Sequence, residues 1–284
     1  MNIGIVGLGL IGGSLGIDLR SLGHQVLGVS RNSLTCQLAI ERGVVDDASV
    51  NLTLLAAADV VFVCTPITAI APTIQQLVPH LATDAIITDV GSVKAAVVEV
   101  VTPLWHNFVG GHPMAGTADS GIDAAQSQLF AGNPYVLTPL DTTPPAAVKI
   151  VEEIVRSLRS QVYFCRPEEH DRAVAWISHL PVMVSASLIE ACMSESETSV
   201  LELAQNLASS GFRDTSRVGG GNPELGVMMA RYNHKSLWRS LLSYRHCLDQ
   251  LITEIEQENW HALEQRLQDT RKNRPSFLSE DVRD

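Results

Sequence analysis

The chain has 284 residues, 45% hydrophobic and 18% charged, and its 20 Lys and Arg against 31 Asp and Glu leave a formal net charge of −11. That length suits two domains with ample core material. The acidic balance argues against a nucleic-acid or anionic-membrane partner, because both reward basic faces. Cys36, Cys64, Cys165, Cys192 and Cys247 are odd in number and never spaced as CxxC, which points to a reducing, cytoplasmic setting and to no structural metal. The apolar N-terminus is broken by glycines and lacks a basic leader, so no signal peptide is expected. No run reads as long enough to span a membrane.

The segment MNIGIVGLGLIGGSLG, residues 1–16, opens with a β-forming run and continues into Gly7, Gly9 and Gly12 at G-x-G-x-x-G spacing. The first glycine permits a tight turn, the second lets backbone approach a pyrophosphate, and the third lets a helix sit close on its strand. Leu10 and Ile11 then open that helix, whose unpaired N–H groups and dipole favour an anion. A second short strand, Gln25–Val29, should run parallel to the first because a helix intervenes. It ends in Ser30-Arg31-Asn32. Asp or Glu at such a place accepts from the ribose 2′-OH of NAD, whereas Arg can pair with a 2′-phosphate and Ser and Asn can donate to it. NADP is therefore the preferred cofactor, with Arg31 as an exposed loop charge and NAD as the alternative.

Ala58–Cys64, ADVVFVC, reads as a buried central strand, and Cys64, Thr65 and Pro66 at its carboxyl end should wall the cofactor. Ala85–Asp89 delivers the loop Val90–Lys94, and Asn107–Val109 delivers the loop Gly110–Thr117. The turn PLDTTPP, residues 139–145, leads into a helix over Ala146–Leu158 and a strand Gln161–Cys165. After Arg166-Pro167 every periodic segment reads as helix. One long apolar helix runs to Met193, with Pro181 kinking it beside His179. Leu237, Leu241, Tyr244, Leu248, Leu251 and Ile255 form a helical stripe continued by Trp260, Leu263 and Leu267. It can pack within its own domain, but its length favours a homodimer through these helices. Ser279–Asp284 reads as a solvated tail. The expected fold is an α/β N-terminal Rossmann-type doubly wound sheet, residues 1–166, followed by an all-α C-terminal dimerisation domain, residues 167–284.

His112 is the leading chemical candidate. It follows two glycines at a strand end, so its ring should be held in a loop at the cofactor crevice, and an unperturbed imidazole of pKa about 6.5 is mostly a neutral base at pH 7. Ser92 reads equally as a group that holds the His112 tautomer or bonds a substrate hydroxyl, and as ordinary turn chemistry. Lys94, two residues on from Ser92, reads equally as a site group and as a helix-start surface charge, and is left out of the site. Arg217, beside Gly219, Gly220 and Gly221, has a guanidinium fork suited to a carboxylate on a flexible segment, and Arg213 competes for that role.

GGHPMAGT with His112, DVGSVK with Ser92, SHLP with His179 and GFRDTSR with Asp214 and Arg217 together resemble the prephenate/arogenate dehydrogenase family of tyrosine biosynthesis, from the N-terminus to about Pro275. Such enzymes use NAD(P) to oxidise a cyclohexadienyl ring alcohol while a ring carboxylate leaves as CO₂. The resemblance implies that His112 accepts the C4 hydroxyl proton with help from Ser92, and that Arg217 binds a substrate carboxylate. It also implies that His179 lines the ring pocket, that Asp214 positions Arg217 or the adjoining helix, and that Thr117 of the GGHPMAGT segment contacts substrate. The chain departs from many prephenate-using relatives by continuing that segment with Ala118-Asp119 rather than Glu, and by carrying Gly226 where some have a bulky aromatic residue. Asp119 is a candidate partner for the arogenate ammonium. Compact NADP-using members resemble arogenate-specific enzymes, so arogenate is preferred over prephenate. The β-hydroxyacid and imine reductases are a second class, disfavoured because Glu168–Met193 contains no lysine, and a non-catalytic NADP-sensing module is a third.

Overall fold

The structure is a computed structural model and describes residues 1–117 and 119–278. Ala118 and the expected tail Ser279–Asp284 lie outside the described residues. The chain divides into two compact units, Met1–His234 and Lys235–Asp284.

The first unit is built on an eight-stranded sheet. Its strands are β1 (Asn2–Val6), β2 (Gln25–Val29), β3 (Asp47–Ser49), β4 (Val60–Val63), β5 (Ile86–Asp89), β6 (Phe108–Pro113), β7 (Pro134–Thr138) and β8 (Gln161–Phe164), in the order β3-β2-β1-β4-β5-β6-β7-β8. β1 lies parallel between β2 and β4, with Val6 registered on Val29 at one side and Val63 at the other. The strand order reverses there, and the crevice outside those carboxyl ends is where doubly wound sheets bind ligands. Among the described residues only the β6–β7 pair is antiparallel. Two strands were not anticipated, β3 and β7, and β6 runs through Pro113. His112 therefore lies in a strand, registered opposite Val136, and not in the expected loop.

Helices α1 (Leu10–Ser21), α2 (Ser33–Glu41) and α5 (Pro145–Ser157) cover one face of the sheet, and α3 (Ile67–Leu77) and α4 (Ala95–Val101) cover the other. The two-residue period of a strand decides which side chain goes where. Val60 and Phe62 join the core beneath Leu15, Leu19 and Val151, while Val61 and Val63 join that beneath Ile70, Ile74 and Val101. Strands buried on both faces explain the near-continuous apolar run over residues 58–64.

From residue 167 the described residues hold only helices: α6 (Pro167–Val174), α7 (Leu180–Met193), α8 (Thr198–Leu207), α9 (Ser210–Ser216) and α10 (Pro223–Tyr232) in the first unit. Between α6 and α7, Ala175–His179 forms a π-helical turn. Pro181 has no N–H to donate and its ring crowds the preceding turn, and the wider turn absorbs that break just before it. His179 closes the widened turn. Pro167–Met193 is a continuous helical run of 27 residues, long and apolar enough by composition to cross a membrane, which corrects the expectation that no segment reaches that length.

The second unit holds most of α11 (His234–Glu256) and all of α12 (Trp260–Asn273), joined through a turn that Asn259 caps by accepting from the Ala262 amide. Arg266 on α12 donates from Nε and Nη2 to the Glu254 carboxylate on α11. Leu237 is buried, but Tyr244, Leu248 and Ile255 of the predicted stripe are exposed, as are Trp260 and Leu267.

Candidate active site and dinucleotide cleft

The turn after β1 is shaped by what cannot fit in it. Gly7 has φ +100°, and a Cβ there would stand 2.6 Å from the Cys64 carbonyl oxygen. A Cβ at Gly12 would collide with the Gly7 carbonyl. At Gly9, by contrast, a Cβ would meet nothing within 4 Å. Gly9 is also the N-cap of α1, no side chain caps that helix, and its first turn, beginning Leu10-Ile11, contains no acid. The result is an open cradle of backbone N–H groups at a positive helix end. Beside it, Thr65 Oγ1 is buried without a hydrogen-bond partner among the described residues, and Pro66 opens α3 as its N-cap. Burial pushes the Cys64 thiol well above its usual range, so Cys64 is an inert wall. These residues fit a dinucleotide.

At the end of β2, Ser30 Oγ accepts from the Asn32 amide at 3.3 Å, and Asn32 Oδ1 caps α2 by accepting from the Leu34 amide at 2.9 Å. Arg31 is exposed and has no ion-pair partner among the described residues.

Farther along the sheet edge lies a buried polar network. The Lys94 side chain is wholly buried between β5 and β6, where its Nζ pairs with Asp89 Oδ2 and donates to the Gly111 carbonyl at 2.7 Å. Asp89 accepts in addition from the Gly91 amide at 2.9 Å and the Gly111 amide at 3.1 Å. A Cβ at Gly111 would stand 2.7 Å from the Asp89 carbonyl. The glycines before His112 thus serve close strand packing, not loop freedom. Burial pulls the Lys94 ammonium down while Asp89 holds it up.

His112, 8% exposed, places Nδ1 2.8 Å from His170 Nε2, and His170 Nδ1 lies 2.8 Å from Asp171 Oδ1. Asp171 is fixed in turn by the backbone amides of Lys94 (2.7 Å) and Ala95 (3.0 Å) at the start of α4. Burial, then His170, Lys94 and His179, press the His112 pKa well below its ordinary value, so the ring is neutral at pH 7. Asn233 Nδ2 donates to the Asp171 carbonyl at 2.6 Å and lies 3.1 Å from His179 Nδ1. His179 is fully buried, its Nε2 has no partner among the described residues, and burial brings its pKa down to about 4.

The structure thus gathers His112 and His179 into one network and leaves the other expected site residues outside it. Ser92 is half-buried in the loop after β5. Among the described residues no hydrogen bond joins it to His112, whose Nδ1 is engaged by His170 instead. Thr117 is exposed and its Oγ1 accepts from the Asp119 amide at 3.2 Å. Arg217 is exposed at the first residue of the 3₁₀ turn Arg217–Gly220. That turn is packed, not loose: a Cβ at Gly219 would strike the backbone of α7, and the Gly219 amide donates to Ser185 Oγ at 2.8 Å. Asp214 lies on Arg213 at 3.4 Å, both largely exposed, which is neither a contact to Arg217 nor a test of the other expected role, positioning the adjoining helix.

Both parts of the chain resemble known proteins. Residues 15–164 match the model of the prephenate dehydrogenase nucleotide-binding domain, and residues 166–269 match that of the prephenate dehydrogenase dimerization domain. A prephenate dehydrogenase of Bacillus subtilis is 31% identical, over 90% of this chain and 70% of its own. The chain belongs to the prephenate dehydrogenase family. Among solved structures, an arogenate dehydrogenase of Synechocystis is 55% identical with a TM-score of 0.89, over 98% of this chain and all of its own. A prephenate dehydrogenase of Aquifex aeolicus, in complex with hydroxyphenyl propionate and NAD⁺, is 26% identical with a TM-score of 0.92, over 98% of each chain.

For a prephenate dehydrogenase family member, the residues that sequence reasoning missed are Asp89, Lys94, His170, Asp171 and Asn233. One signal was present. His170 and Asp171 follow Glu168 and Glu169 near the start of a helix whose acids were read as dipole partners, although an adjacent His-Asp pair is also a hydrogen-bonded couple in waiting.

Proposed function

We propose that this chain is an NADP-dependent arogenate dehydrogenase, converting arogenate and NADP⁺ to tyrosine, CO₂ and NADPH. The observation that carries the reading is His112, buried, neutral and anchored at one ring nitrogen on the sheet that carries the dinucleotide cradle. Gly7, Gly9, Leu10, Ile11 and Gly12 would hold the pyrophosphate, Ser30, Arg31 and Asn32 the 2′-phosphate, and Cys64, Thr65 and Pro66 the wall of the nicotinamide end. The bound cofactor supplies a hydride acceptor.

His112 takes the C4 hydroxyl proton as hydride leaves the same carbon. Loss of CO₂ from C1 returns its electron pair through the ring to oxygen, and the imidazolium gives the proton back as the phenol forms. Ser92 and His179 hydrogen-bond the hydroxyl end of the ring, Arg217 binds a carboxylate, and Thr117 and Asp119 border the side chain. The 55% identity to the Synechocystis arogenate dehydrogenase supports arogenate, and the absence of an acid in residues 30–32 supports NADP. The prephenate and NAD alternative is favoured by the likeness to the Aquifex aeolicus enzyme.

The functional boundary falls at residues 166/167, in keeping with the two family models. The exposed stripe of α11 and α12 makes a homodimer, and the five unpaired cysteines suit the cytoplasm, with neither membrane nor nucleic acid as partner. Steady-state assays crossing arogenate and prephenate with NADP and NAD test the reading. A larger kcat/KM with prephenate overturns the substrate, and a larger one with NAD overturns the cofactor. His112→Asn should lower kcat by about 10²- to 10⁴-fold with NADP affinity unchanged; undiminished turnover removes His112 from proton transfer.

A further inference from the structure

Asp171, at the centre of the buried network, leads from both of its polar ends to a histidine. Its carboxylate receives the His170 Nδ1 contact at 2.8 Å, and its backbone carbonyl receives the Asn233 amide at 2.6 Å. Each path can be followed by donor and acceptor chemistry alone, because both begin at an atom that can only accept.

Along the first path, the Asp171 carboxylate already takes N–H groups from Lys94 and Ala95. His170 must therefore direct its Nδ1–H at it. With its Nδ1 hydrogen given to Asp171, His170 turns Nε2 toward His112 Nδ1 at 2.8 Å as the acceptor, which places the hydrogen of that contact on His112 Nδ1. The remaining nitrogen of His112, Nε2, is left as the basic lone pair.

Along the second path, the Asp171 carbonyl accepts only, so the Asn233 atom facing it is the nitrogen, and no amide flip is possible. The second hydrogen of that nitrogen lies toward His179 Nδ1 at 3.1 Å. His179 is neutral with a lone pair at Nδ1, so its hydrogen sits on Nε2, the atom buried without a partner. The two rings are thereby fixed in opposite tautomers.

We propose that Asp171, acting through His170 and Asn233, is a positioning residue that sets His112 as the proton acceptor and His179 as a hydrogen-bond donor toward the same substrate oxygen. The role in turnover rests on the dehydrogenase reading above, but the tautomers do not. One ring takes the hydroxyl proton while the other donates to the oxygen on which negative charge gathers. A neutral donor is suited to that task because it does not compete for the proton. Substrate then supplies the acceptor for the His179 Nε2 hydrogen.

Long-range ¹H–¹⁵N correlation spectra of the full chain labelled with ¹⁵N-histidine test the assignment directly, with His112→Asn and His179→Asn identifying the two sets of signals. A pyrrole-type Nδ1 for His112 and a pyrrole-type Nε2 for His179 are expected. The opposite tautomer at either ring overturns the proposal, whatever the turnover. In kinetics, His170→Phe should lower kcat at least tenfold with both KM values within about threefold. His170→Gln, whose amide oxygen can accept from His112 Nδ1–H, should recover at least threefold over Phe. A smaller fall, or equal activity of Gln and Phe, overturns the proposal, and if neither variant folds the spectra of the wild-type chain decide.

Discussion

Replacing Lys94 by methionine keeps most of the side-chain volume and removes one charge from a pair whose two side chains are wholly buried. The Asp89 carboxylate would keep its backbone donors, the amides of Gly91 and Gly111, but lose its counter-charge while fully buried. Stranding one member of a buried ion pair destabilises by about 3–5 kcal/mol. For a unit of this size each kcal/mol moves Tm by about 2–4 °C, so Lys94→Met should melt about 6–20 °C lower in a calorimetric scan. Adding Asp89→Asn removes the stranded charge, and the double variant should be no less stable than Lys94→Met alone, giving a coupling energy of about 3 kcal/mol in the cycle. A loss below about 1 kcal/mol, or simple additivity, would refute the claim that this pair fastens β6 to β5. A second readout follows from Lys94 being one of the charges that press His112 down. Without it, His112 gains a proton at higher pH, and the acidic limb of the kcat profile should move upward.

Arg31→Ala should raise KM for NADP by about tenfold while leaving that for NAD within twofold, because an exposed charged hydrogen bond to a phosphate contributes at the low end of about 1.5–3 kcal/mol; equal effects on both cofactors would remove Arg31 from 2′-phosphate recognition. Leu248→Glu, in the exposed stripe of α11, should convert a dimer to monomers in sedimentation velocity, and an unchanged sedimentation coefficient would place the interface elsewhere. Acid stability has a direction set by His179. Its folded pKa of about 4 lies below the ordinary 6.5, so above pH 6.5 both states are neutral and it contributes no pH dependence. As pH falls from 6.5 toward 4 the unfolded chain binds a proton that the folded one refuses, and stability declines by up to about 3 kcal/mol. Tm measured across that window should fall more steeply in the wild type than in His179→Gln, and parallel curves would contradict the burial of the ring.

What was legible beforehand is what short-range pattern determines. The glycine spacing after β1 reports a turn whose constraints lie within a few residues and one neighbouring strand end. The apolar runs at residues 25–29, 58–64 and 85–89 report strands buried on both faces. β3 and β7 escaped because three residues at a sheet edge, and five strand-forming residues closed by Pro139 and Leu140, have little period to detect. His112 was recognised as chemical but misplaced, since its strand extends past Val109 only by pairing with β7, a partner 20-odd residues on in sequence. Lys94 was misread for the same kind of reason. One lysine after GSV looks like a helix-start charge until Asp89 and the Gly111 carbonyl, the latter 17 residues away, are seen to enclose it. The acid that caps α4 stands 77 residues from Lys94, and His170 stands 58 from His112. No local periodicity carries information over such separations. The groups that orient the base are therefore visible only once the sheet and the α6 helix are folded against each other, even though the base itself could be named from its motif.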